Sequence, residues 1–161
     1  MTLLIRRARP GDAATVFALV KELADYEKLS HEVEATEADI AEALFGESPR
    51  LFCEIAEWNG EVAGFAVWFM NFSTFAGRHG IYLEDLYVRP AFRRNRIGQA
   101  LLGYLAQECV ARGWARLQWS VLDWNAPSIT FYKSLGAELM DDWTLCKVTG
   151  PALSKLAERA P

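Results

Sequence analysis

With 161 residues, the chain has the length of one ordinary domain, enough to bury a two- or three-layer core and too short for two such cores. Apolar residues make up 52% and charged residues 24%, a balance that excludes intrinsic disorder. The formal net charge of -4, from 21 acidic and 17 basic residues, offers no overall positive field to a nucleic acid, and no apolar run reaches membrane-spanning length.

Leu3 to Arg7 is a short apolar segment that predicts a strand, closed by the turn Pro10-Gly11-Asp12, with Asp12 placed to cap a helix. The apolar positions Val16, Phe17, Leu19, Val20, Leu23 and Ala24 then recur at helical spacing, so a first helix is expected to end near Lys28. Thr36 with Asp39 three residues on, followed by Ile40, Ala43, Leu44 and Gly46, predicts a second helix. Two apolar and aromatic runs, Leu51 to Trp58 and Glu61 to Met70, flank Asn59-Gly60 and predict an antiparallel hairpin. Asn71 to Gly80 lacks a period and reads as a loop, and Ile81 to Val88 returns to strand.

Pro90 to Arg96 is a basic turn, and Ile97, Leu101, Leu102, Leu105 and Cys109 mark one face of a helix that Gly113 ends. A strand at Leu117 to Leu122, a helix at Asn125 to Leu135, a last strand at Trp143 to Val148 and a short helix at Pro151 to Arg159 complete the chain. The expected class is α/β: a mixed, mostly antiparallel sheet of six or seven strands with helices on both faces, in a single domain over residues 1–161. Cys53, Cys109 and Cys146 are odd in number and set in apolar runs, which points to reduced, buried thiols in a cytoplasmic protein. The N-terminal order of apolar residues before Arg6 and Arg7 is the reverse of a signal peptide.

Chemistry concentrates at Glu84 and Asp85, a carboxylate pair inside an otherwise apolar strand, where adjacent residues are expected to face opposite ways. Desolvation there raises a carboxyl pKa and equips the group to take a proton from an ammonium ion. Arg93-Arg94-Asn95-Arg96-Ile97-Gly98 runs straight into a helix, joining free backbone N–H groups to the positive end of the helix dipole, as a pyrophosphate requires. Asn125 and Pro127 are suited to start a helix, and Phe131-Tyr132 reads on its own as core packing. His31 and His79 fall in predicted loops with no ligand partner at metal spacing, so no metal is expected.

The stretches Tyr82 to Val88, Arg93 to Gly98 and Trp124 to Lys133, together with Lys21 to Glu27, resemble the GCN5-related N-acetyltransferases, and within them the diamine (spermidine/spermine) branch. The resemblance implies acetyl-CoA as co-substrate, a small primary amine such as a diamine or polyamine as acceptor, direct transfer in a ternary complex, and a homodimer. It places Leu86, Tyr87 and Val88 along the acetyl and pantetheine arm, and Arg93, Arg94, Asn95, Arg96, Ile97, Gly98 and Gln99 around the pyrophosphate. Asn125 and Ser128 hold the coenzyme arm, with Tyr132 beside it. Glu84 matches the general base, and Tyr132 the acid that protonates the leaving thiolate, which replaces the packing role read from its neighbours. Tyr26, Glu27, Glu84, Asp85, Gln118, Trp119, Ser120, Asp141, Asp142 and Trp143 match or adjoin positions that shape the amine site.

One departure is Arg96, where the family's phosphate turn usually has Gly; a right-handed helical φ is open to Arg and is expected there. Two alternatives stay open. One is an acetyltransferase for an amino acid side-chain amine such as a lysine analogue, which needs a carboxylate-binding cation; Arg50, Arg78 and Lys133 cannot be placed beside the amine pocket from sequence. The other is a CoA-binding regulatory domain without turnover.

Overall fold

The computed structural model describes residues 1–161 as two compact units, Met1–Asn125 and Ala126–Pro161. The first holds a five-stranded sheet in the order β1 (Leu3–Arg7), β2 (Phe52–Trp58), β3 (Glu61–Ser73), β4 (Arg78–Val88), β5 (Leu117–Gln118), antiparallel except for the β4–β5 pair. Helices α1 (Ala13–Tyr26) and α2 (Glu37–Phe45) pack together, and α3 (Ile97–Arg112) packs against β1 to β5. The second unit contains α4 (Ala126–Ser134) and α5 (Gly150–Ala157).

The local signals act as expected at several ends. Asn59 and Gly60 both take left-handed φ values, 52° and 85°, and turn β2 into β3. Thr36 Oγ1 accepts from the Asp39 N–H at 3.2 Å while Asp39 Oδ2 accepts from the Thr36 N–H at 2.8 Å, a reciprocal cap on α2. Asp12 precedes α1 but does not cap it. Its carboxylate instead accepts from Arg6 Nη1 at 2.8 Å and from the Arg9 N–H at 2.7 Å, and the Arg6 guanidinium holds its pKa down.

Several expectations are corrected. The sheet has five strands rather than six or seven, because Trp143 to Val148 forms no strand, and β5 covers only Leu117 and Gln118 of the strand expected to reach Leu122. The Trp143 to Val148 segment is rich in apolar residues, but a strand exists only where a neighbour supplies its hydrogen bonds. The loop predicted over Asn71 to Gly80 is mostly sheet: β3 runs on to Ser73 and β4 starts at Arg78, which puts His79 opposite Phe72. Cys53 and Cys109 are buried, with burial pushing both thiols up, whereas Cys146 is exposed.

Register divides the sheet into two faces. Cys53, Ile55, Phe65, Val67 and Tyr87 cluster with Val16, Leu19 and Leu23 of α1 and Leu44 of α2. Glu54, Ala66 and Trp68 occupy the other face, that of α3, whose Ile97, Leu101, Leu102, Leu105 and Cys109 are buried. Glu54 is fully buried there; its Oε1 lies 2.7 Å from Arg7 Nε and accepts from Trp68 Nε1 at 3.3 Å, while Oε2 has no partner. The Arg7 guanidinium lies over the Phe52 and Trp68 rings. Burial raises the Glu54 pKa and the Arg7 charge opposes that rise.

No helix is long and apolar enough to cross a membrane.

Candidate active site

The acidic strand contains a feature that alternation alone does not reveal. Asp85 pairs with Val67 and Leu83 with Trp68, so Glu84 is an extra residue on β4 with no counterpart on β3. Such a β-bulge resets the facing of everything beyond it. Leu83 shares the face of Trp68, towards α3, and strict alternation would send Asp85 and Tyr87 the same way. With the bulge, Asp85 shares the face of Val67, and Tyr87 joins the cluster packed on α1. The expectation that alternation alone sets the facing of Glu84 and Asp85 is therefore corrected: Asp85 stands opposite Val67 and is mostly covered, while Glu84 is the unpaired residue of the bulge and is exposed.

Desolvation lifts the Asp85 carboxyl to about 7, helped by the nearby negative charges of Glu84 and then Glu27. Glu27, at the C-terminal end of α1, is itself raised by burial. Three carboxylates thus converge where the bulge meets the end of α1, an arrangement that attracts a cation and tunes one member to exchange a proton near neutrality.

An aromatic wall adjoins them. The Tyr26 ring centroid lies 6.5 Å from that of Tyr87 and 6.2 Å from that of Trp124, and the Tyr26 hydroxyl donates to Asn125 Oδ1 at 3.4 Å. The Arg89 and Glu22 side chains fasten the exit of β4 to α1 through an ion pair of 2.8 Å, and Arg89 Nη1 also donates to the Val62 carbonyl at 3.0 Å. Gly64 sits opposite Val88, where a Cβ would collide with the Tyr87 carbonyl, so the strands approach closely at this point.

The far edge of β4 pairs with β5 only at Ile81 and Tyr82. From Leu83 to Val88 that edge has no strand partner, leaving backbone groups open to an extended ligand, as the pantetheine arm of acetyl-CoA requires. The basic turn follows directly. Arg94 and Arg96 both have left-handed φ, 70° and 58°, and α3 begins at Ile97 with no side-chain cap. Left-handed residues leading into an uncapped helix N-terminus form a nest of N–H groups that fits a pyrophosphate.

The basic residues do not act alike. The Arg93 guanidinium lies over the Tyr26 ring, 5.0 Å from its centroid, and its Nε donates to the Val88 carbonyl at 3.0 Å. Asn95 Nδ2 donates to the Phe92 carbonyl at 3.0 Å and holds the turn together, leaving Arg94, Arg96 and Gln99 exposed and Gly98 in the first turn of α3. The expected right-handed φ for Arg96 is corrected: the residue sits where Gly is favoured, at a cost of roughly 1 kcal/mol. Arg96→Gly is expected to raise Tm by about 2 °C and to weaken the salt dependence of CoA binding, since one guanidinium is removed. Calorimetry and titration at two salt concentrations check this, and a lower Tm would contradict it.

Of the other candidates, Gln118 Oε1 accepts from Asn71 Nδ2 at 2.9 Å, Ser120 Oγ and the Tyr82 hydroxyl are 2.9 Å apart, and Trp119 lies between them in sequence. Ser128 and Tyr132 lie on α4 in the second unit. Asp141, Asp142 and Trp143 are exposed in an irregular segment of the same unit. Two contributors not singled out in the sequence are Lys28, whose Nζ is 5.0 Å from the Trp124 ring centroid, and the Glu22–Arg89 pair. Only adjacency to the Tyr26-Glu27 stretch could have flagged Lys28.

Comparison with known proteins agrees with this geometry. Residues 16–137 match the acetyltransferase (GNAT) family. A thialysine N-ε-acetyltransferase from Bos taurus is 36% identical over 96% of this chain and 96% of its own length. An L-ornithine N5-acetyltransferase from Arabidopsis thaliana is 29% identical over 94% of this chain and 86% of its own. Among solved structures, an integron cassette protein from the mobile metagenome of V. cholerae superposes with a TM-score of 0.82 at 28% identity, covering 98% of this chain and 99% of that one. The acidic bulge, the open strand edge and the basic turn thus have a common explanation: the chain belongs to the acetyltransferase (GNAT) family and is an N-acetyltransferase.

Proposed function

We propose that the protein acetylates the side-chain amine of a lysine-like amino acid, with acetyl-CoA as donor. The observation that carries this reading is the bulge at Glu84 that turns Asp85 onto the face of Val67, with the charges of Glu84 and Glu27 close enough to act on Asp85. Two relatives that span nearly the whole chain, named for thialysine and L-ornithine, act on amino acids bearing such an amine. A diamine or polyamine is the second reading, favoured by the number of carboxylates, since a spare one could hold a distal ammonium.

Bound acetyl-CoA supplies an activated thioester carbonyl. The carboxylates of Glu27 and Asp85 draw in the ammonium group, and Glu84 takes its proton directly or through water, leaving a neutral nucleophile. A backbone N–H of β4 near Leu86 donates to the oxyanion that develops on attack, and Tyr132 protonates the departing thiolate. Asn125, Ser128 and the turn from Arg93 to Gln99 hold the coenzyme. No covalent enzyme intermediate is required.

Acetyl-CoA consumption against thialysine, ornithine, lysine, diamines, polyamines and peptides tests the reading, alongside direct CoA binding. Highest kcat/KM for an amino acid acceptor is the expected result, and Tyr132→Phe should slow that turnover while sparing acetyl-CoA binding. Preference for a polyamine would move the assignment to the second reading, and CoA binding without turnover on any amine would remove both.

A further inference from the structure

An amino acid acceptor presents a carboxylate as well as an amine, and the acidic cluster alone cannot receive it. We propose that Lys28 binds the acceptor's carboxylate and so selects amino acids over diamines, an inference that rests on the amino acid reading of the site.

The backbone supplies the first argument. The Lys28 N–H donates to the Asp25 carbonyl at 3.0 Å and the Leu29 N–H to the Ala24 carbonyl at 2.8 Å, the paired bonds that close a helix through a left-handed residue. Lys28 is that residue, with φ 61°. Gly fills such a position at no steric cost, whereas a side chain there is strained. Stability therefore does not account for lysine at this position, and strain of this kind collects where a side chain has a task.

Placement supplies the second. The Lys28 ammonium lies over Trp124, a half-exposed ring that also meets Tyr26. No carboxylate of the protein forms an ion pair with Lys28, although Glu27 is its immediate neighbour in the chain. A cation on an exposed indole face is held only weakly and stays available to an anion. Arg93 is less free for the task, because its Nε is committed to the Val88 carbonyl at the start of the phosphate turn.

The site therefore has two poles. Carboxylates of Asp85 and Glu27 form one, the Lys28 ammonium forms the other, and Tyr26 and Trp124 lie beside them as an apolar surface for an aliphatic stem. A zwitterionic amino acid complements both poles. A diamine would instead bring its distal ammonium towards Lys28, so the same residue attracts one acceptor class and repels the other.

The test compares thialysine with its carboxamide, which differ only at the group in question, using the full-length wild type, Lys28→Met and Lys28→Arg. Lys28→Met keeps the stem length and removes the charge. The ratio of kcat/KM for the carboxylate over the carboxamide is expected to fall about tenfold in Lys28→Met and to return in Lys28→Arg. The ratio of thialysine to a diamine should fall in the same direction. An unchanged ratio in Lys28→Met, or an equal loss on both acceptors, would overturn the assignment and leave Lys28 as packing for Trp124. Failure of the wild type to acetylate any amine would instead remove the amino acid reading itself, a different and recognisable outcome.

Discussion

Glu84→Gln is expected to lower kcat/KM for an amine acceptor by about a hundredfold at neutral pH, with the deficit shrinking as the pH rises. Gln keeps the size of the side chain at the bulge and removes only its ability to take a proton. An alkylammonium with a pKa near 10.4 is almost wholly protonated at neutrality, so a variant without a base depends on the small free-amine fraction. That fraction grows about tenfold per pH unit, and the variant should close on the wild type in alkaline solution. Parallel pH–rate profiles for the two enzymes would remove Glu84 from the proton path. The exposed position of Glu84 suits this task, because the proton must leave to solvent after each turnover.

Asp85→Asn is expected to stabilise the fold while impairing acceptor binding. The Asp85 carboxyl keeps its proton up to about 7 in the folded protein, against an ordinary value of 3.8, chiefly because burial penalises its charge. Between those two values the folded state binds more protons than the unfolded chain, so wild-type stability falls as pH rises from about 4 to 7 and then levels off. Asn carries no such penalty. The variant should match the wild type near pH 4 and exceed it above pH 7 by up to about 4 kcal/mol, roughly 8–16 °C in Tm. Its acceptor KM should rise severalfold, and the inflection near pH 7 in kcat/KM should disappear. Equal Tm differences at pH 4 and pH 8 would show that Asp85 titrates normally. A gain in stability at the expense of function is what a strained binding group predicts.

The parts of this architecture that were legible in the sequence depend on near neighbours in the chain. Apolar spacing located α1, α2 and α3, Asn59-Gly60 located the hairpin, and an acidic pair followed by a basic turn located the site. What was not legible depends on pairing between distant residues. The bulge at Glu84 exists only in the register of β4 against β3, so the direction of Asp85 could not follow from β4 alone. The stretch from Trp143 to Val148 has the composition of a strand, yet forms none, and the composition of a segment cannot show whether a partner will pair with it. Lys28 and Trp124 are far apart in sequence, and the left-handed turn that brings them together is usually signalled by a glycine that is not there.

The buried Glu54 has a consequence for how the chain finds its pairing. Its neighbours Cys53 and Ile55 lie in the α1 and α2 core, while Glu54 itself reaches Arg7 and Trp68 on the opposite face. A slip of one residue between β2 and its neighbours would carry this carboxylate into an apolar core that holds no cation to meet it. Misregistered hairpins are thereby penalised by several kcal/mol of unpaired charge. The central hairpin thus carries an electrostatic check on its own alignment, independent of the acceptor site.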